Sequence, residues 1–578
     1  MSSNNLSRSH LSSPSYGYDF VVSTTQAAIN KGLWQYLSSG KEQTVTQLCF
    51  LVNRDTGYPS EYISLEDLKK KTGGVNPFDI KPGTSYNDPR ITALTAALFS
   101  TGLQLKLGPP PGVSPDNLPG IVSLAKGTKA VEFNMYFSEI TVIQNNPPSG
   151  WGGSGHWNVW AQPSDQPWSL TTIVDILISD IDKELSTTYF EQHPEEKKAL
   201  LEQLTGLEST GTAFSLQQLL FDLDNAALQG EVRFEGIPDG NPARDILADS
   251  TLELYTNYAK EQGKPLLALM ALPHVEDKSQ LKLTALERQV SFLKDSSGQE
   301  IKNPTDAELA VTTLDYLCAT DGHPLPGATS FSWNWVTLDE VNRESGIIAI
   351  NRNAFGNYIM NQLLPSCQET CIIAKPTVST GPSGEVSYGC GEISNGAVPQ
   401  QMTITSEGAT VVHIEYVHDE TARAQWGAYT GELRIIPHYT CDVDFGGTRI
   451  TVKQHLLVDT YTEKWSSGVS CKAIDITVTE SYDIKVNDGA LEVIPVGPVH
   501  TVEDPQDPSV NGALESFIHI IEIINGIKAK IYNFSRPLIH EIKVDQLEKF
   551  IFPGGKVFSY SSVRFSDYQD LLCSITYL

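Results

Sequence analysis

In the stretch "KAIDITVTESYDIKV" apolar and polar residues alternate over more than a dozen positions. Ile474, Ile476, Val478, Tyr482, Ile484 and Val486 fall on one side, and Asp475, Thr477, Thr479, Ser481, Asp483 and Lys485 on the other. Successive side chains of a strand point to opposite faces, so this run predicts an antiparallel strand with one wet and one apolar face. At roughly 3.3 Å per residue it reaches on the order of 40 Å, longer than the usual strand. The sheet must then be large or strongly coiled, and its apolar face needs an equally long partner.

The segment "NGALESFIHIIEIINGIKAKIYNFSRPLI" supplies a candidate partner. Phe517, Ile520, Ile521, Ile524, Ile527 and Ile531 line one helical face, while Ile518 and Ile523 fill the flank. Only Glu515, His519 and Glu522 are left as a polar stripe. A helix apolar over most of its circumference has to be enclosed, which a curved sheet wrapped around it would do.

Two shorter strand-to-helix passages resemble each other. "YGYDFVVSTTQAAINKGLWQYLSSG" predicts a strand, a cap at Ser23 or Thr24, and a helix carrying Ile29 and Leu33 on one stripe. "SGIIAINRNAFGNYIMNQLLP" predicts a strand, a cap at Asn351, and a helix with Phe355, Ile359 and Leu363 in register. The expected organisation is a disordered Ser-rich tail over 1–16, a first lobe over 17–325 and a second over 326–578. Ile29, Leu33, Phe355, Ile359 and Leu363 are the candidate ligand-binding residues, because apolar stripes of this kind face the sheet and line any tube left between helix and sheet.

Several chemistries fail on spacing. Gly150-x-Gly152-x-x-Gly155 imitates a dinucleotide fingerprint, but "HWNVWAQ" and "WSLTTIVDI" follow it and read as a strand hairpin where a helix is required. "GGSGH" and "GPSGE" miss the nucleophile-elbow spacing. "CDVDFGG" has Gly446 and Lys453 where calcium ligands belong, and predicts a turn at a strand end. His413 and Glu415 share a strand face opposite Val412, Ile414 and Tyr416, which reads as a solvated face. His156, beside the tryptophans, is the candidate acid or base should any chemistry be catalysed. Phe331, Trp333 and Trp335 in "SFSWNWVTL" read as sheet aromatics on one face.

With 41 Lys and Arg against 69 Asp and Glu, the chain carries a formal charge of −28 and repels phosphate backbones. Eight thinly spread cysteines form no zinc pattern, and reduced thiols are expected. A polar amino terminus and the lack of a long apolar run predict a cytoplasmic protein without a transmembrane segment. The expected cofactor and metal content is none.

The stretches "FSLQQLLFDLDNAAL", "TTLDYLCATDGHPLPGATSFSWNWV", "SGIIAINRNAFGNYI" and "FIFPGGKVFSYSSVRFSDYQDLL" resemble segments of the forty-seven-kilodalton companion proteins of clostridial neurotoxin clusters, within the TULIP (tubular lipid-binding) superfamily. The likeness is scattered from Tyr16 onward and rests on structural motifs. It implies an α+β, mainly antiparallel β fold, with long helices wrapped by strongly curved sheets in two TULIP-like lobes. It further implies an apolar groove that holds acyl chains or other hydrophobic molecules. The expected function is binding or carrying a hydrophobic, lipid-like ligand. The alternatives are a cofactor-independent cyclase or isomerase acting on a hydrophobic metabolite, and a structural or toxin-associated accessory subunit. The expected partner is a hydrophobic small molecule or lipid, not nucleic acid, with transient membrane contact and a protein partner left open.

Overall fold

The computed structural model describes residues 6–38, 45–53, 59–124, 130–148, 154–175, 194, 232–247, 283–465, 467–497, 499–502, 518–535 and 558–577. The chain divides into two compact units, one holding Val22–Gly346 and the other Asn4–Val21 together with Ile347–Thr576.

The first unit contains β1 (Phe20–Thr25, divided after Val21), α1 (Gln26–Ser38), β2 (Val45–Val52), β3 (Pro59–Ile63), α2 (Leu65–Thr72), α3 (Pro89–Ala96) and β4 (Phe99–Leu107). It continues through β5 (Val122–Ser123), β6 (Ala130–Asn146), β7 (His156–Ala161), β8 (Ser169–Asp175), β9 (Val232–Glu235) and α4 (Pro242–Ile246) to β10 (Leu283–Ser291), α5 (Asp306–Ala310) and β11 (Thr313–Thr320). The second unit contains β12 (Gly346–Ile350), α6 (Arg352–Thr370), β13 (Ile373–Thr380), β14 (Val386–Ser394), β15 (Gln401–Ile404), β16 (Thr410–Val417) and β17 (Glu420–Trp426). It is completed by β18 (Tyr429–Gly446), β19 (Arg449–Lys464), β20 (Ser467–Asn487), β21 (Ala490–Pro495), β22 (Val499–Val502), α7 (Ile518–Ser535), β23 (Phe558–Phe565) and β24 (Leu571–Tyr577).

In the first unit the strands run β3-β2-β4-β6-β8-β9, with β5 and β7 also on β6. Helices α2 and α3 cover one end of this sheet, where Leu68, Ile80, Ile91, Leu94 and Phe99 form a buried cluster with Trp157. The strands expected at β7 and β8 are present, but they do not pair with each other. Both lie along the 17-residue β6, β7 against Thr141–Asn146 and β8 against Ala130–Tyr136. A single long strand thus provides the edge that a hairpin was expected to provide for itself.

In the second unit the main sheet runs β15-β16-β18-β19-β20-β21, with β17 on β18 and β22 on β20. Strand β20 has 21 residues, on the order of 70 Å at the usual rise. Ile474, Ile476, Val478, Tyr482 and Ile484 are all buried, on the face that the alternation assigns to the interior. A second set of strands is ordered β12-β24-β23. The sheets are mostly antiparallel.

Three expectations need correction. The residues 6–16 were expected to be a disordered tail, yet they contain a 3-10 turn at Leu6–Arg8 and bury Leu6, Ser9 and Leu11. The unit boundary falls between Gly346 and Ile347, not between 325 and 326. The intervening segment is held to the first unit by Asn334, whose side chain accepts from the Lys294 backbone N–H and donates to the Lys294 carbonyl. Phe331, Trp333 and Trp335 are buried, but in an irregular segment, not on a strand. Their rings pack against one another with centroids 4.8 to 5.4 Å apart. The alternation here reflects three rings converging on one cluster.

"FSLQQLLFDLDNAAL", the helix expected from Pro194 beyond that residue, and 511–517 of the C-terminal helix lie outside the described residues. Helix α7 occupies the remainder of the expected C-terminal helix.

Candidate functional site

The five candidate ligand-binding residues are all buried, and they divide between the units. Ile29 and Leu33 lie on α1 in the first. This helix is capped by Thr25, whose hydroxyl accepts from the Ala28 N–H; the expected cap at Ser23 is instead a buried hydroxyl that donates to Asp315. Helix α1 is fixed to the short strand β5 by side-chain hydrogen bonds. Asn30 both donates to the Val122 carbonyl and accepts from the Val122 N–H, and Gln26 accepts from Leu124. The Trp34 ring stacks on Tyr136 at 5.1 Å.

Beside these residues the first unit encloses a carboxylate. Asp315 is fully buried and accepts from the hydroxyls of Ser23, Thr313 and Ser291. Burial raises its pKa against the pull of those donors. Lys294 is buried nearby, its Nζ 3.8 Å from the Glu300 carboxylate, and desolvation lowers its pKa.

Phe355, Ile359 and Leu363 lie on α6 in the second unit, four residues apart, so that they form one stripe with Cys367. As expected, Asn351 caps the helix, accepting from the Asn353 N–H. The stripe faces apolar positions of the sheet. Phe355 packs on Phe445 at 5.2 Å and on Phe565 at 6.1 Å, and the latter two rings are stacked at 4.8 Å. Gly356 lets the helix approach closely, since a Cβ there would meet Val411 at 2.8 Å and Ile404 at 3.2 Å. Every second residue of β19 from Ile450 to Thr462 is buried.

This inner face also carries polar groups. Tyr439 donates to Gln454 at 2.9 Å and reaches the Cys367 sulfur at 3.5 Å. The Cys441 thiol hydrogen-bonds to Cys367, lowering the pKa of Cys367, while the same contact and burial raise that of Cys441. Glu480 is buried among apolar neighbours and accepts from the Tyr482 hydroxyl at 3.2 Å. Its even-numbered place between Val478 and Tyr482 is the signal that could have found it, because parity alone puts it inside.

At the amino end of α6, Arg352 is buried. Its guanidinium donates to Gln569, Thr405 and the carbonyls of Gly408 and Thr410, and its backbone N–H donates to Asp570. Asp570 is fully buried and also accepts from Ser9 Oγ and the Leu11 N–H, at 2.8 and 2.7 Å. Burial pushes its pKa up to about 6, against the opposing pull of these donors and of Arg352. No local pattern in the sequence signals this pairing, which spans 561 positions.

The opposite face of the main sheet is polar and half-exposed at its histidines, but Asp475, expected on the wet side, is buried. His413 pairs with Asp442 at 2.6 Å, His438 with Glu415 at 2.9 Å and His455 with Asp475 at 2.8 Å, while Val412, Ile414 and Tyr416 are buried. His156 is exposed and contacts the Ser154 hydroxyl at 3.2 Å. No cluster of three or more His, Cys, Asp or Glu suited to a metal occurs among the described residues. None of their helices is long and apolar enough to cross a membrane.

No family model matches the chain, and no curated protein matches it. Among solved structures it is similar to P47 of Clostridium botulinum E1, at 10% identity and a TM-score of 0.37, covering 97% of this chain and 100% of that one. It is also similar to a lipopolysaccharide binding protein, at 9% identity and a TM-score of 0.29, covering 97% and 99%. At these scores the likeness carries no argument about this chain and transfers no residue role.

Proposed function

We propose that the protein binds or carries a hydrophobic, lipid-like ligand on the apolar layer between helix and sheet, in two TULIP-like lobes whose sheets curve around their helices. The observation that carries this reading is the α6 stripe of Phe355, Ile359 and Leu363 set against an inner sheet face in which alternate residues of β18 and β19 are buried. Such a layer extends over several strands far longer than a small core needs, and a ligand with a long apolar part could share it with the side chains. Tyr439, Gln454 and Glu480 would serve as polar contacts for a ligand head group.

The test is native mass spectrometry of the freshly purified protein followed by solvent extraction, with calorimetry of fatty-acid binding. A co-purifying lipid and a negative heat-capacity change on binding are expected, the latter being the mark of apolar burial. A protein that yields no extractable lipid and binds no fatty acid saturably would overturn the reading. Gly356→Phe is unsuited to the test, because Val411 and Ile404 already occupy the space.

A further inference from the structure

One end of the long sheet in the second unit exposes aromatic rings. Trp426 and Tyr429 face each other across the tip of the β17–β18 hairpin, and Trp465 follows β19, its backbone N–H donating to the Thr430 carbonyl at 3.0 Å. Their exposures are 54%, 37% and 43%, high for such large apolar groups. Tyr429 and Trp465 lie 5.6 Å apart, and the Lys464 ammonium sits 4.9 Å over the indole of Trp465.

Trp465 also has a φ of 52°, in the left-handed region that glycine or asparagine ordinarily occupies. A bulky residue in this conformation is strained, and here the strain leaves an indole 43% exposed. Strain kept at a ring that stays this exposed points to a role for it outside the fold.

We propose that this tip docks onto the interface of a zwitterionic lipid bilayer, with Trp426, Tyr429 and Trp465 seated at head-group depth and Lys464 reaching toward phosphate. Indole and phenol rings favour that boundary, where an apolar body meets a wet edge, and a lysine stem can lie along it with its ammonium in water. The charge of the molecule selects the surface. A formal charge of −28 sets two copies of the chain against each other and against anionic membranes, whereas a neutral bilayer presents no long-range repulsion. The nearby Arg423 is paired with Glu432 at 2.7 Å and adds no free cationic patch. The Tyr429 and Trp465 rings are tilted by 44° and so offer no single flat platform for a sugar. The proposal stands on the hairpin tips and is independent of the carrier reading.

The full chain is mixed with phosphatidylcholine vesicles and floated on a density gradient, and tryptophan quenching by bromine-labelled phosphatidylcholine is recorded. Flotation and quenching are expected for the unaltered protein. Trp426→Ala and Trp465→Gly should each weaken partitioning by about tenfold, and the pair should abolish it. Trp465→Gly removes the strained side chain, so an unchanged or higher melting midpoint separates loss of docking from loss of folding. Absence of flotation by the unaltered protein overturns the proposal, as does flotation that survives the double substitution. A dimer in sedimentation that the same substitutions dissolve, without vesicle binding, overturns it in favour of a second copy. Failure to extract a lipid from the pure protein would count against the carrier reading and leave this result standing.

Discussion

Asp570 shows how one residue couples stability to pH. Its carboxyl is raised from 3.8 to about 6, so the fold prefers the protonated form. The associated stability is fully present below the unfolded value and is lost as pH rises through about 6, amounting to about 3 kcal/mol in all. Relative to Asp570→Asn, the natural protein should gain about 1 kcal/mol between pH 7.5 and pH 5, measured by denaturant titration. The same stability difference at both pH values would show that the carboxyl does not titrate in this range. His10 stacks on Tyr568 close by at 3.9 Å, and Arg352 adds to the desolvation that lowers its pKa, so the comparison with the Asn variant is needed to isolate Asp570. At Trp465, replacement by Gly should add about 1 kcal/mol by relieving the left-handed backbone, less the entropy that glycine costs in the unfolded chain. A lower melting midpoint would mean that the indole contributes packing that outweighs its strain.

Among the elements, legibility in the sequence followed periodicity. Strand β20 could be read by alternation from Ile476 to Ile484, whereas beside the bulge opposite Val458 and Asp459 both faces are buried from Ala473 to Ile476; α6 could be read because its cap and its four-residue stripe agree. Leu363→Ala, in that stripe, should cost about 2 to 5 kcal/mol, whereas Asn357→Ala on the exposed side should stay within about 0.5 kcal/mol. Equal effects in thermal unfolding would remove the stripe from the core. The 3-10 turn at Leu6–Arg8 was illegible because its Ser-rich surroundings have the composition of a tail, and what orders them is a carboxylate far along the chain, Asp570 in the turn just before β24. Likewise Phe331, Trp333 and Trp335 imitate a strand by spacing alone. The burial of the apolar stripes was therefore legible, and the buried polar groups beside them were less so. Tyr439, Gln454 and Cys367 meet only once β18, β19 and α6 have packed, and nothing in their own neighbourhoods announces it.

For the whole molecule, 69 acidic side chains against 41 basic ones make self-repulsion a general cost of compactness. Raising sodium chloride from about 10 mM to 150 mM shortens the screening length from roughly 30 to 8 Å, so the melting midpoint should rise. A midpoint that falls would show that specific ion pairs, such as Arg434 with Asp419, outweigh the general repulsion. The second unit is assembled from two stretches of chain, Asn4–Val21 and Ile347–Thr576. During synthesis, Ser9 must wait for Asp570, 561 positions later, which at roughly 5 to 20 residues per second takes about half a minute to two minutes. Over that interval Leu6 and Leu11 have no native site to enter, and a ribosome that stalls anywhere before β24 leaves them available to a chaperone.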